Sequence, residues 1–389
     1  MPSLLLFAAL VPAAARGEPP RLRATWAGPE MTVTLVGGQG CAVLRSPDGV
    51  GVEYARAASD LRVVDGHLWI AQDDSAFVAV SPLASGQGRL WMLFPRLAAR
   101  FGHAEVPKPL KADPEILVPL DTKSGPRLLA MGSGSTPGRY RVALIEPFEG
   151  GSVREVALTG MYRALDARKE LIGTDLNLEG AANLGDILRL FQRGNGAVRD
   201  GRVPHNAIVD LDMPGFLAYL EQALDDPRAP FDERLVRYAA VLDLAEIHGG
   251  RLTFSGACEL GGGWSVYVAA AERSPDAYSD GEIAGSAVGL IDREGRAFQT
   301  SLVLPDEALP ASRATPSSLN AGAPPLHPLA PSGGSPALKL EGVAIAASGP
   351  GGLELRLCAD QDLPGHPSPI LRARLIGPLV TRALAAAGR

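Results

Sequence analysis

Three glutamates, Glu115, Glu179 and Glu341, occupy the same place in three similar stretches of the chain: PEILVPL, LNLEGAANL and LEGVAIAA. Two more stretches of this form, ASDLRVV and FSGACEL, carry Ser59 and Ser255 at that place. If the five positions converge, three carboxylates meet and repel one another unless a cation, an arginine or raised pKa values relieve them. Oxygen donors alone suit a hard divalent cation, calcium before others. A carboxylate at the mouth of a strand also accepts backbone N–H bonds from the adjoining turn, and a repeat copies such a structural device as readily as a ligand.

A second set of chemistry-bearing residues closes each stretch: Asp73 and Asp74, Ser133 and Ser135, Arg193 and Asn195, Glu272 and Arg273, Asp360 and Asp362. Arg193 and Arg273 are candidates to stabilise an anionic substrate or transition state, or simply partners for the carboxylates. Ser133, Ser135, Asn195 and Glu272 are candidate ligand contacts. Asp276 and Asp280 join them from the loop AERSPDAYSDGEIAGSAVG at 271–289, where they crowd with Glu272 and Glu282 around a glycine-containing turn. That spacing does not fit the D-x-[DN]-x-[DN]-G calcium loop. His205, just after QRGNG and beside Asn206, is the histidine placed to act as an acid or base. GSGST at 132–136 lacks the lysine of a phosphate loop and no G-x-S-x-G elbow exists. No H-E-x-x-H or close histidine pair supports zinc, and no nucleotide or redox cofactor is indicated.

The elements that must position these residues follow from the repeat. The five copies run from 58, 114, 176, 254 and 340. In each, an apolar strand, a Gly- or Asp-containing turn and a second apolar strand come in order, and further strands follow. Four short strands per unit is the arithmetic of a propeller blade. The fold expected is all-β: a single β-propeller of five or six four-stranded blades over 21–389. The last unit shows three clear strands, so a strand from the N-terminal stretch MTVTLVGG is expected to close the ring. Insertions account for the uneven repeat length, with a helix expected near 215–226 and a disordered Pro/Ala/Ser-rich loop at 309–337.

Composition bounds the partners. A formal net charge of −6 without any basic run argues against nucleic acid. Residues 3–15, SLLLFAALVPAAA, are too short to span a bilayer. They form the apolar core of a signal peptide or an N-terminal extension within 1–20, which implies export to the periplasm in the first case and a cytoplasmic protein in the second. Three cysteines, Cys41, Cys258 and Cys358, contain no C-x-x-C pair. A monomer is expected.

The succession EILVPL…LLAMGSGST, NLEGAANL…QRGNG, AERSPDAYSDGEIAGSAVGLID and KLEGVAI…LCADQD resembles an uncharacterised bacterial family related to phytase-like (esterase-like) propellers, from about residue 58 to 375. The resemblance implies a propeller and, in some relatives, a metal-assisted hydrolase at the ring's axis. Together with the residues, it gives the functional expectation. An acidic axial pocket holds a cation on Glu115, Glu179 and Glu341, binds a small polar or anionic molecule, and hydrolyses an ester or phosphoester. The alternative is a non-catalytic binding or interaction propeller.

Overall fold

The structure is a computed structural model describing residues 18–39, 43–45, 52–84, 87–148, 150–273, 282–302, 338–360 and 368–389. Of residues 39, 43–45, 52–54, 87, 273 and 282 it describes the backbone alone. The segments rich in Leu, Val, Ile and Ala are strands, and tight glycine corners join them. Between Ala58–Val64 and His67–Gln72, for example, Asp65 and Gly66 take φ of +47° and +72°, as a two-residue hairpin demands.

Among the described residues the strands form five sheets, so the ring has five blades. From the axis outward, blade I is Ala58–Val64, His67–Gln72, Phe77–Pro82 and Gln87–Met92, extended by Val43–Arg45 and Val52–Tyr54. Blade II is Pro114–Thr122, Gly125–Gly132, Arg141–Ile145 and Val153–Ala157. Blade III is Leu178–Asn183, Ile187–Gln192, Asn206–Asp212 and Val236–Asp243. Blade IV is Gly250–Gly261, Trp264–Arg273, Glu282–Ile291 and Ala297–Ser301, with Glu246–Ile247 beside its first strand. Blade V is Lys339–Gly349, Gly352–Asp360, Ile370–Ile376 and, from the other end of the chain, Thr32–Gln39. The innermost strands neighbour one another around the ring, blade V meeting blade I. Five apolar clusters hold the ring, one between each adjacent pair of blades.

The expected N-terminal closing strand is Thr32–Gln39, antiparallel to Ile370–Ile376. The residues before it do more than the sequence suggested. Arg21–Arg23 runs parallel on the outer strand of blade III and Thr25–Trp26 parallel on that of blade IV. One short segment thus borders three consecutive blades. A helix, Met213–Asp225, occupies the insertion after Asn206–Asp212; Asp212 caps it by accepting from the Gly215 N–H. It buries Phe216, Tyr219 and Leu220 in the cluster between blades II and III. A terminal helix, Pro378–Ala386, packs Leu379, Val380 and Ala383 into the cluster between blades IV and V. The hydrophobic run at 3–15 and the linker at 309–337 lie outside the described residues. No helix among those described is long and apolar enough to cross a membrane, and nothing indicates a nucleic-acid partner.

Candidate functional site

The five repeat positions coincide with five irregularities in the ladder. In every blade the first two strands slip register across one residue: Ser59, Glu115, Glu179, Ser255 and Glu341. A β-bulge of this kind re-aims its side chain. All of these residues except Ser255 line one axial funnel of about 440 Å³. The two serines tie blade to blade: Ser59 Oγ donates to the Pro114 carbonyl and Ser255 Oγ to that of Leu340, both at 2.6 Å. The glycine after the bulge in blades III, IV and V explains the E-G, S-G and E-G pairs of the sequence. A Cβ on Gly180, Gly256 or Gly342 would come within 2.7 Å of the neighbouring inner strand.

On the side of blades III to V the funnel wall is a zigzag of opposite charges. Arg193 meets Glu179 at 3.4 Å and Glu272 at 2.8 Å; Lys339 meets Glu272 at 3.2 Å and Glu341 at 2.9 Å. Arg193 Nε also donates to Thr253 Oγ1 (3.3 Å), and Asn177 Nδ2 to Glu179 Oε1 (2.6 Å). Burial pushes Glu179 up to about 8 against the pull of Arg193. Burial raises Glu341 as well, against Lys339 and Arg193. Glu272 is partly buried, but Arg193 and Lys339 pull harder and leave it below the usual carboxylate range.

The side of blades I and II is neutralised only in part. Asp73 Oδ2 accepts from Lys111 Nζ at 2.9 Å, while its Oδ1 is buried without a hydrogen-bond partner. Asp113 Oδ2 accepts from Ser133 Oγ (2.5 Å) and Arg139 Nη1 (2.8 Å). Glu115 makes no ion pair or side-chain hydrogen bond among the described residues. Burial first, then the like charges of Glu179, Asp113, Asp73 and Glu341, hold its carboxyl well above the usual range. Oxygens of Asp73, Asp113 and Glu115 lie within 4.8 Å of one another, an acidic triad that can hold a metal ion. Eight carboxyl groups line the funnel against six Lys and Arg side chains.

Below the bulges the channel is plugged. Asp60 accepts from the amides of Leu61 and Leu117, both at 2.8 Å. Arg62 bonds Asp60 at 3.1 Å and donates to the carbonyls of Ala181, Ala257 and Val343. Those carbonyls belong to blades III, IV and V, and Leu117 to blade II, so one pair on blade I touches all five. They lie two residues past the bulges, about 7 Å deeper along each strand. Burial pushes Asp60 up to about 7, against the pull of Arg62 and the two amides. This floor went unnoticed in the sequence, because it occurs once and a repeat search sees only what recurs.

The predicted site residues divide accordingly. Glu115, Glu179, Glu341, Arg193, Asn195, Glu272 and Ser135 line the funnel together with Asp73 and Asp360. The three glutamates share it without sharing a role: Glu179 and Glu341 have cationic partners and Glu115 has none among the described residues. Arg193 is engaged by two carboxylates, which leaves it as part of the wall. Ser133 is buried beneath Asp113 and does not line the cavity. His205 does not line it either; its backbone N–H bonds the Ile172 carbonyl (3.1 Å) on the outer side of blade III, and burial beside Arg21 and Arg251 lowers its pKa. The Arg273 side chain, Asp276, Asp280 and Asp362 lie outside the described residues. Asp113 was missed in the sequence although it stands two residues before Glu115.

The fold and site together define a five-bladed β-propeller with an acidic axial funnel closed at its base. The chain belongs to a family of unknown function (DUF6929), which matches residues 54–375. No curated protein matches it. Among solved structures, glutaminyl cyclase of Myxococcus xanthus is similar at 12% identity and a TM-score of 0.39, over 92% of this chain and 98% of that one. The N-terminal domain of Nup159 is similar at 8% and 0.32, over 92% and 99%. A candidate phosphatase of Bacteroides thetaiotaomicron is similar at 10% and 0.37, over 88% and 79%.

Proposed function

We propose that the funnel binds a small polar ligand through a divalent cation held by Asp73, Asp113 and Glu115. One observation carries this reading: the Glu115 carboxylate faces other carboxylates and has no counter-charge among the described residues. A site built for stability alone would neutralise it, as Arg193 and Lys339 neutralise Glu179 and Glu341. The donor set is oxygen only, and Asp73 Oδ1 has no other partner. That favours calcium over zinc, which takes histidine and cysteine. Glu179 and Glu341 then belong to the wall, and Ser135 and Asn195 face the ligand.

A bound cation polarises a carbonyl or phosphoryl oxygen, so ester or phosphoester hydrolysis is the reaction class the site supports. The resemblance to phytase-like propellers points the same way. A non-catalytic reading draws on one observation: no histidine among the described residues lines the funnel, which leaves Glu115, its carboxyl raised by burial and by like charges, as the acid available.

Calcium titration followed by thermal melting tests the centre. At about a hundred times its Kd, calcium should stabilise the fold by about 2.7 kcal/mol, and Glu115→Gln should abolish the response. No shift with calcium or chelator, and no metal in the purified protein, would reject the reading. Turnover of an ester and phosphoester panel, lost in Glu115→Gln, separates catalysis from binding.

A further inference from the structure

The funnel floor is charged, but its rim on the blade III side carries two exposed valines. Residues 194–205 cross the mouth between Ile187–Gln192 and Asn206–Asp212 as a small hairpin. Arg199 and Arg202 exchange both backbone hydrogen bonds, at 3.1 and 2.8 Å. Between them Asp200 and Gly201 hold φ of +50° and +75°, the pattern of a two-residue type I′ turn. Val198 and Val203 are therefore the next facing pair, side by side on one face. They are 63% and 47% exposed while lining the same cavity as Glu115.

This finger is preformed. Gly194 N–H donates to Asn206 Oδ1 (3.0 Å), His205 N–H to the Ile172 carbonyl (3.1 Å) and Arg251 Nη1 to the Pro204 carbonyl (3.0 Å). A Cβ on Gly173, at φ +79°, would collide with the Val203 carbonyl. Arg251 lines the funnel beside the finger. Unlike Arg193, Arg139, Lys111 and Lys339, it forms no ion pair among the described residues. A rigid apolar wall, an unneutralised guanidinium next to it and a cavity of small-molecule size form one contiguous surface.

We infer that the ligand of the funnel is an amphiphilic oxyanion, its apolar substituent against Val198 and Val203 and its charged group reaching Arg251. The inference rests on the funnel being the ligand site proposed above. Calorimetric titration with methyl, butyl and hexyl phosphate, with and without calcium, tests it. Affinity should tighten from methyl to butyl phosphate by about three- to fourfold per methylene. In a Val198→Ser, Val203→Ser double variant the dependence should vanish while the calcium response stays intact; both side chains are exposed, so the fold should survive. Arg251→Gln should weaken every member of the series by about tenfold or more and keep the slope. Chain-length dependence that persists in the double variant, or is missing from the unaltered protein, overturns the inference. Calcium stabilisation with no alkyl phosphate bound overturns the inference and leaves the cation centre standing. Chain-length-dependent binding without any calcium effect supports the inference and removes the centre. Binding of neither probe removes both.

Discussion

Asp60 and Glu115 are both carboxylates on innermost strands, both near the axis, and both pushed upward by burial. Asp60 has Arg62 and two backbone amides as partners. Glu115 has other carboxylates as neighbours. Standing on a propeller axis therefore does not make a charge structural or functional. What separates the two is whether the lone pairs are used. A carboxylate with its acceptors engaged belongs to the scaffold, whereas one kept in a field of its own sign costs stability that the rest of the ring supplies. Such uncompensated groups mark sites more often than scaffolds.

Three substitutions break or sharpen the contrast. Arg62→Met should have the largest effect, because it strands Asp60 and leaves three blade carbonyls unbonded. The loss expected is about 3–5 kcal/mol of unfolding free energy in denaturant titration. A loss under about 1 kcal/mol would mean that the ring closes without its hub. Arg193→Gln comes next, at about 2–3 kcal/mol, since Glu179 and Glu272 lose their shared partner. This change turns the neutralised side into a second acidic one, so calcium should recover part of the lost melting temperature. A drop with no recovery would show that the two sides differ in more than counter-charge.

Glu115→Gln should act least and in the opposite direction, raising the melting temperature of the metal-free protein near pH 8. The folded state keeps Glu115 protonated well above the usual range and Glu179 to about 8. From about pH 5 to 8 it thus binds more protons than the unfolded chain, and its stability falls as pH rises. Thermal melts across that range should show a shallower slope in Glu115→Gln, and in the unaltered protein once calcium replaces the protons. An unchanged slope in the variant would assign the pH dependence to Glu179 and Asp60.

The repeat made the ring, its closing strand and the five bulge positions legible, because a bulge copied into every blade leaves the same short signature: a glutamate or serine before an apolar run, followed by glycine in blades III to V. The distribution of charge around the funnel was not legible. LNLEGAANLGDILRLFQRGNG offered Arg193 as a partner for carboxylates without saying which, and Glu272 reaches that arginine from 79 residues away. Asp60 and Arg62 were hidden in plain ASDLRVV because no other blade repeats them. Arg21–Arg23 and Thr25–Trp26 are too short to show a strand period at all.

Those two short strands and Thr32–Gln39 set a condition on how the protein is made. They come early in the chain, yet the strand that Thr32 to Gln39 must join, Ile370–Ile376, follows four whole blades of later sequence. Until then the future partner of blade V has no sheet to enter, and its backbone donors and acceptors stay open to any other edge. The ring can assemble blade by blade during translation but locks only when Ile370–Ile376 meets Thr32–Gln39. Closure of blade V, rather than the folding of any earlier blade, is the step that completes the ring.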